Sequence, residues 1–533
     1  MTSTQISPAR KWATVAVGCL ANVVLGIDLT ALHLAIPGLV ADLDPSANQI
    51  LWIADSYGFA LAGFLITMGV LGDRIGRKRL FLFGTLAFAA TSLLTAYAWN
   101  AETLILARTL LGVSGATIMP SALSVTRNVF TDPKERTTAV GIGMGVGALG
   151  VGLGPVFGGL MLDHFWWGSV FLINVPLMAV TCVLALFIWP ESKDPNPHRF
   201  DLVSVPLSLV GVLGFVYAVK EAAANGVMQG RVAISLVLGL LAGIAFVVRQ
   251  QRISYPLIDV SLFRQQAFTG SVLANMFSMF ALIAQSLLFA QYFQLVLGWS
   301  PLKAGLAGLP GGVCAMIGGA LAAPLITAFG RARVVGIGMA VAAAGFGLYM
   351  LSGTSADYLV LLVAMVPCAM GMGMAMTVTG DTILASVPKD RAGAASAISE
   401  TATELGGALG MAVLGSVLNG VYRNEIDVPA GVPESARGSV EDSIGSALTS
   451  AVTMPADVAG RVVDAARSAF VDGMHMALLT SAALALLAGV AGLVLLRGVP
   501  KVLEDPDLAV AEGVETTEVP GQGTAAPGVA QVG

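Results

Sequence analysis

Residues 69–84 read GVLGDRIGRKRLFLFG, and a weaker copy of the pattern, APLITAFGRARVVGIG, occupies residues 323–338. Each stretch places a short basic turn between two long apolar runs. Apolar runs cross a membrane, whereas Lys and Arg are retained at one of its surfaces, so each stretch predicts two spanning helices joined at that surface. The recurrence indicates an internal repeat. We therefore expect two similar halves, with a substrate site at their interface near the bilayer midplane.

The composition is that of a membrane protein. The 533 residues are 56% hydrophobic and 11% charged, with a mean hydropathy of +0.81, far from the balance of a soluble domain. A span in hydrocarbon is a helix of about 20 mainly apolar residues, because every backbone polar group must be satisfied internally. Fourteen spans are predicted near residues 12–37, 50–71, 80–98, 102–123, 138–162, 168–189, 202–220, 231–249, 268–294, 302–328, 333–352, 357–379, 392–420 and 474–497.

These runs predict an all-α polytopic protein with two six-helix bundles and two inserted helices. The first run follows Arg10 and Lys11, as a secretory signal would, but it is too long for the apolar core of a signal, so we expect a retained helix. An acidic composition predicts a disordered C-terminal tail. The predicted units are an N-tail (1–11), an N-terminal bundle (12–189), an insert (190–250), a C-terminal bundle (251–497) and the tail (498–533).

The basic residues predict the orientation. With the N-terminus inside, 20 of the 28 Lys and Arg residues fall in inner segments and 7 in outer ones. Both termini are then cytoplasmic. The longest loop, 423–471, would face outward. Its amphipathic stretch 456–470 suits either an ordered hairpin or a solvated linker.

Several classes of chemistry are not indicated. The four cysteines lie in apolar runs without paired spacing, so neither a metal site nor a disulfide framework is expected. No phosphate-cradling G-x-x-x-x-G-K-[ST] string occurs, so a gradient must supply the energy, and no cofactor is expected. An intramembrane enzyme would need a catalytic constellation, and a sensor would need an output domain; neither is recognisable. Nothing indicates nucleic acid, and we expect a monomer surrounded by lipid.

Six ionisable residues in or near predicted spans are selected as functional candidates, because a charge within the bilayer costs at least about 2.5 kcal/mol on insertion scales. Asp55 fits either a transport site or a helix-start position, and Asp381 either a site or a cytoplasmic-end position. The six residues are Asp28, Asp55, Arg108, Asp381, Glu400 and Glu404.

Asp28 and Arg108 lie at similar predicted depths in helices one and four, so they could pair. Asp28 would then be a proton or cation site that Arg108 modulates, or the pair would be a static buried salt bridge. His33, five residues from Asp28, is either a proton relay or a packing residue. Protons are accordingly an expected partner.

Glu400 and Glu404 are spaced i, i+4, which places both carboxylates on one helical face. Like charges so placed oppose joint ionisation, and burial adds to this, so at least one is expected to hold a proton or exchange it for a cation. Alternatively, one of them only hydrogen-bonds a neighbouring helix.

Two further features suit a protein that changes shape. Gly154 and Pro155 lie within the glycine-rich fifth helix, where proline frees a carbonyl and bends the helix and small residues allow close packing. Tight static packing would use the same residues. Asp73 and Arg77 flank the basic turn of the repeat, either as a charge latch or as topology anchors.

Aromatic side chains could offer faces to an organic cation, although most aromatics in spans are packed or face lipid. Those selected as substrate-binding candidates are Trp52, Tyr57, Phe289, Tyr292 and Phe293.

The motifs resemble those of the major facilitator superfamily, and within it the fourteen-helix drug:proton antiporters that include bacterial quaternary-ammonium exporters. The resemblance covers residues 12–497. One departure is that residues 308–324 contain no acidic residue, whereas some relatives that handle divalent cations carry one in this helix. The motifs are GIDLTALHLAIPGL (26–39), LWIADSYGFALAGF (51–64), GDRIGRKR (72–79), LARTLLGVSGATIMP (106–120), GLGPVFGG (152–159) and RAGAASAISETATELGGALG (391–410).

This resemblance implies alternating access and export of lipophilic cations such as dyes, biocides and some antibiotics, with Asp28, Asp55, Glu400 and Glu404 as protonation or cation sites. We therefore predict a proton-coupled multidrug antiporter and not an enzyme. The alternative is a dedicated exporter of one metabolite, lipid or self-made antibiotic, which would use the same fold.

Overall fold

A computed structural model describes residues 7–501 apart from 46, 193–200, 202, 226–227, 254–255, 356–357 and 388–391. Most of the predicted tail 498–533, from residue 502 onward, lies outside the described residues. Over the described ranges the chain is helical and contains no strand.

Among the described residues, seven α-helices precede the insert, two form it and eight follow it. The first group is α1 (Pro8–Leu43), α2 (Ala47–Ile75), α3 (Arg77–Ala96), α4 (Ala101–Val129), α5 (Pro133–Leu162), α6 (Ser169–Leu172) and α7 (Asn174–Ile188). The insert is α8 (Ser204–Asn225) and α9 (Gly230–Arg252). The last group is α10 (Gln266–Gln291), α11 (Pro301–Phe329), α12 (Arg331–Leu348), α13 (Tyr358–Ala385), α14 (Ala392–Glu425), α15 (Glu434–Asp442), α16 (Ile444–Ala451) and α17 (Ala456–Leu495).

Local chemistry sets the helix boundaries. The Asn100 side chain accepts a hydrogen bond from the Thr103 amide (2.8 Å), and Asp132 does the same for Glu135 (2.8 Å), as N-cap residues do. Gly76 (φ 109°) and Gly330 (φ 84°) turn the chain between α2 and α3 and between α11 and α12. Both positive φ angles favour glycine. The repeat predicted from the sequence is thus present as two turns of the same kind.

Twelve of the described helices are long and apolar enough to cross a membrane. The other two predicted spans correspond to α8 and α10. The apolar part of α8, Ser204–Val219, is shorter than a full span. The expected all-helical membrane architecture is therefore confirmed, whereas the count of fourteen spans stays a prediction.

The predicted span 168–189 corresponds to α6 and α7, which Ile173, itself in a helical conformation, joins into one span, Ser169–Ile188. The helix boundaries near the C-terminal end of the described chain differ from the predicted ones. The last helix begins at Ala456, well before the predicted residue 474, because the amphipathic stretch 456–470 continues directly into the apolar span. The predicted loop 423–471 also contains α15 and α16, so it is an ordered helical segment and not a linker.

The two halves meet along two seams, one between α5 and α11 and the other between α2 and α14. Glycines bring the first pair into backbone contact: a Cβ added at Gly141 would lie 2.6 Å from the Gly319 carbonyl oxygen. At the second seam, α8 packs against both α2 and α14, so the insert covers it. The first seam is therefore closed by direct contact between the helix backbones, whereas the second is covered by the insert.

Hydrogen bonds between polar side chains hold the two helices of the insert together at one end. Arg249 donates two hydrogen bonds to the Asp201 carboxylate, at 2.8 and 2.9 Å. These bonds hold the pKa of Asp201 well below its usual range, so the pair remains ionised at physiological pH. Gln250 donates to Ser204 (2.7 Å) and accepts from the Leu257 amide (2.6 Å), which fastens the insert to the chain that leads into α10.

Replacing Gly141 with Ala should lower the melting temperature in detergent, because the new methyl group would meet the α11 backbone and overpacking costs about 1–3 kcal/mol. Gly143→Ala is the matched control, since a Cβ at Gly143 meets nothing within 4 Å. Equal melting temperatures for the two variants would contradict the close α5–α11 seam.

Candidate functional site

A buried ion pair joins α1 to α4. Arg108 Nη1 lies 2.8 Å from Asp28 Oδ2, and the two side chains are 1% and 0% exposed. Arg108 Nε also donates to the Ile53 carbonyl oxygen of α2 (3.3 Å). The pairing expected from the similar depths of Asp28 and Arg108 is therefore present. The role of the pair in transport stays a prediction.

Asn174 completes the surroundings of Asp28 and was not recognised from the sequence. Its amide nitrogen lies 2.8 Å from Asp28 Oδ1 and 3.3 Å from Ser92 Oγ. Each carboxylate oxygen of Asp28 therefore accepts from a different helix. The available signal was an asparagine in the apolar run FLINVPLMAV, at the break between α6 and α7.

Tyr57 connects this pair to the other half of the protein. The Arg108 guanidinium lies over the Tyr57 ring at 4.9 Å from its centroid, a cation–π arrangement. Tyr57 is buried, and its surroundings include Asp28, Arg108 and, across the interface, Glu404. This candidate aromatic thus lies between the acidic groups of the two halves.

Glu400 and Glu404 lie on the face of α14 that turns toward the N-terminal half. A Cβ added at Gly69 of α2 would lie 2.6 Å from the Ala397 Cβ, so Ala397 faces α2. Glu400 and Glu404 follow Ala397 by three and seven residues, which keeps them on that face. Within the described residues, the charged group that acts on Glu400 is Glu404. The structure therefore gathers the buried residues Asp28, Arg108 and Tyr57 and the two partly buried glutamates in one region.

The remaining aromatic candidates lie elsewhere. Trp52 is 40% exposed and stacks on Tyr217 of the insert, with ring centroids 6.3 Å apart. Phe289, Tyr292 and Phe293 belong to the core of the C-terminal half.

Packing accounts for these three C-terminal aromatics. Phe289 lies 4.5 Å from Tyr349, and Phe293 stacks on Trp299 at 5.1 Å, centroid to centroid. The Tyr292 hydroxyl donates to the Gly353 carbonyl oxygen at 2.6 Å. Their role in substrate binding stays a prediction.

Two minor candidates complete the set. Asp55 is partly buried in α2 beside this region and has an interaction partner. His33 lies in α1, but its side chain lies outside the described residues. Both predicted roles stay untested.

The basic turn of the repeat joins the two halves. Arg77 Nε and Nη2 donate to Asp73 Oδ1, at 2.9 and 2.5 Å. The backbone amides of Gly393 and Ala394, in the first turn of α14, donate to the two oxygens of Asp73 at 3.1 Å each. These amides lack intrahelical partners, so the helix start binds an anion. Asp73 has the geometry of the hypothesised latch as well as that of a local anchor.

Asp381 occupies a second charged contact between the halves. Arg136 Nε of α5 lies 2.6 Å from Oδ1, and Arg331 Nη2 of α12 lies 2.8 Å from Oδ2. Thr137 donates to Oδ2 at 3.0 Å. Arg136 and Arg331 were missed by sequence reasoning, although the repeat aligns Gly330-Arg331 with Gly76-Arg77 and so offered a signal.

Pro155 and Gly154 lie where α5 meets α1. Pro155 has no amide to donate to Val151 four residues earlier, and the Thr30 hydroxyl of α1 donates to that carbonyl oxygen instead, at 2.9 Å. A Cβ at Gly154 would clash with Thr30 and lie 2.9 Å from the Ile27 carbonyl oxygen. The freed carbonyl expected from the sequence is thus bound by a neighbouring helix.

The chain belongs to the Major Facilitator Superfamily, whose family profile matches residues 18–411. It is 42% identical to the multidrug efflux pump LfrA of Mycolicibacterium smegmatis over 486 residues, which cover 91% of this chain and 96% of LfrA. It is 34% identical to the methyl viologen resistance protein SmvA of Salmonella typhimurium over 481 residues, 90% of this chain and 97% of SmvA.

A solved structure, the human organic anion transporter MFSD10 (TETRAN), matches with a TM-score of 0.57 at 14% identity, over 91% of this chain and 100% of that one. At that identity the match establishes the fold alone. The expected family and fold are thereby confirmed. The protein is a transporter of small molecules, not an enzyme, and an integral protein of the bacterial inner membrane.

Arg108→Gln should destabilise the protein by about 3–5 kcal/mol, because it leaves the buried Asp28 carboxylate without its countercharge. The double variant Asp28→Asn/Arg108→Gln should lose less, and Arg437→Gln, which removes an exposed pair with Glu441, less than about 1 kcal/mol. Thermal unfolding in detergent measures all three. Identical losses in the single and double variants would argue against a charge-compensating pair.

Proposed function

We propose that the protein is a proton-coupled antiporter that exports lipophilic organic cations from the bacterial cytoplasm by alternating access, with both termini cytoplasmic. A buried polar series supports this proposal. Asp28, Arg108 and Tyr57 in the N-terminal half lead to Glu404 and Glu400 in the C-terminal half. A charge crossing the bilayer needs such compensation near the midplane, where bare ions are costly.

The glutamate pair is suited to exchanging two kinds of positive charge. Two partly buried carboxylates four residues apart on one helical face repel each other when both are ionised. Either a proton or a cationic guest relieves that repulsion, so binding one makes the other less favourable. We assign cation binding and proton exchange to Glu400 and Glu404, with the Tyr57 ring as an aromatic face for the guest.

Asp28 has a different proposed role. Arg108 and Asn174 occupy its two oxygens, so its charge is compensated in this conformation. A proton on Asp28 would weaken its hold on Arg108, and the guanidinium beside Tyr57 would then oppose a cation at the glutamates. Protonation in one half would in this way expel the substrate bound in the other.

The conformation described fits one state of the cycle. The Asp73 and Asp381 contacts join the halves at the end of the protein where the repeat turns lie. In the proposed orientation this is the cytoplasmic end, so the molecule is closed toward the cytoplasm. Opening inward requires both contacts to break, and proton entry supplies roughly 2.3 kcal/mol per charge for each 100 mV.

The names of the relatives agree with this substrate class. LfrA is a multidrug efflux pump, and SmvA is named for resistance to methyl viologen, an organic dication. Because residues 308–324 contain no acidic residue, we assign the binding of divalent cations to the two glutamates of α14.

Efflux assays in inverted membrane vesicles test the proposal. With an imposed pH gradient, the wild-type protein should accumulate ethidium and release protons, whereas Asp28→Asn and Glu400→Gln should abolish both signals because the exchangeable carboxylate is gone. Glu441→Gln, which removes an exposed carboxylate, is the control for expression and handling. Normal ethidium transport in both site variants would refute the site, and transport without proton movement would refute the coupling.

A further inference from the structure

An apolar groove of about 520 Å³ lies on the insert. Its walls come from α8, α9 and one residue of α14. The two insert helices cross closely below it: a Cβ at Gly214 would lie 2.8 Å from the Gly239 Cα atom. Gly243 faces open space, because a Cβ there would meet nothing within 4 Å. The lining residues that matter here are Gly211, Phe215, Gly243, Val247, Gln251 and Leu405.

The groove opens toward lipid. On α9, Leu240, Ile244 and Val247 line it and are 50%, 59% and 41% exposed. At one end it reaches Gln251, beside the Asp201–Arg249 pair that closes the insert. In the proposed orientation that end lies in the inner leaflet, where a lipophilic cation from the cytoplasm accumulates.

The deep end of the groove lies next to the glutamates. Ile398 and Ala402 of α14 pack with Val212 of α8, and Leu405 continues this face into the groove. Successive residues of an α-helix are about 100° apart, so the Glu404 face adjoins the Leu405 face. From a molecule in the groove, the Glu400 and Glu404 carboxylates therefore lie around one edge of α14.

The opposite seam, between α5 and α11, is closely packed. At the opposite seam, Gly141 and Gly319 bring α5 and α11 into backbone contact, and a Cβ at Gly312 would lie 3.0 Å from the Leu149 Cα atom. The seam beside the glutamates is instead covered by the insert, whose outer surface is the groove.

From this arrangement we propose that the groove between α8 and α9 binds the apolar body of a lipophilic cation arriving from the bilayer and leads its charged end around α14 to Glu404. The inference rests on the proposed function and adds the route. The groove supplies apolar area, the glutamates supply the complementary charge, and the inserted helices gain a role in substrate capture.

Photolabelling tests the route without requiring transport. A dodecyltrimethylammonium probe with a diazirine in its chain is irradiated with the protein in vesicles, and labelled peptides are identified by mass spectrometry. We expect labels on the groove-lining segments of α8 and α9. Excess dodecyltrimethylammonium should suppress them about tenfold more effectively than dodecanol, which has the same chain without the charge. Glu404→Gln should remove that difference.

Two matched variants distinguish the groove from the general lipid surface. Gly243→Phe should fill the groove and reduce labelling about tenfold, because the apolar contact area is lost. Gly347→Phe, at an exposed α12 glycine whose added Cβ also meets nothing within 4 Å, should leave labelling unchanged. Equal protection by dodecanol would identify a lipid groove and overturn the inference, as would labelling that ignores Gly243→Phe.

The vesicle assay keeps this inference separate from the proposed function. Charge-dependent labelling without proton movement would preserve the route and refute the coupling. Proton-coupled ethidium transport, together with labelling that Gly243→Phe does not reduce, would support the coupling and overturn the route.

Discussion

The structure depends on compensation of charge in a medium that does not solvate it. A carboxylate or guanidinium taken into hydrocarbon loses its water, and a partner within hydrogen-bonding distance must replace that loss. Three described acidic groups obey this rule in different ways. Asp28 is held by Arg108 and Asn174, Asp381 by Arg136 and Arg331, and Asp73 by Arg77 and the start of α14. The pairs place α1 against α4 and the N-terminal half against the C-terminal half, so charge compensation positions the helices as well as the side chains.

The repeat explains why the two inter-half contacts resemble each other. Gly76-Arg77 and Gly330-Arg331 occupy corresponding turns, and each arginine binds an aspartate at the interface. The partners differ, because Asp73 contacts backbone amides of α14 whereas Asp381 contacts the Arg136 side chain of α5. Similar folding of the halves thus leaves each one free to use different chemistry. The Asp73 and Asp381 contacts can therefore respond differently when the two halves move relative to each other.

Much of the architecture could be predicted because hydropathy and glycine turns are local. The order of the helices, the repeat and the Asp28–Arg108 pair all follow from periodicity and depth. The pairing of Asn174 with Asp28 and of Arg136 with Asp381 could not be predicted, because it depends on which helix faces which. The early start of α17 was missed for another reason, since the amphipathic stretch 456–470 was separated from the apolar run that follows it. The aromatics show the same limit. Tyr57 lies beside the charges whereas Phe293 packs in a core, and nothing in their immediate sequence separates the two.

The Thr30 hydrogen bond has a mechanical consequence. By accepting from Thr30, the Val151 carbonyl ties the turn of α5 that precedes Pro155 to α1, two residues beyond Asp28. A movement of α5 at Pro155 would therefore pull on α1 at the turn that carries the carboxylate. A single hydroxyl, which replaces the amide that proline lacks, thus couples the proline turn of one helix to the position of a buried charge on another.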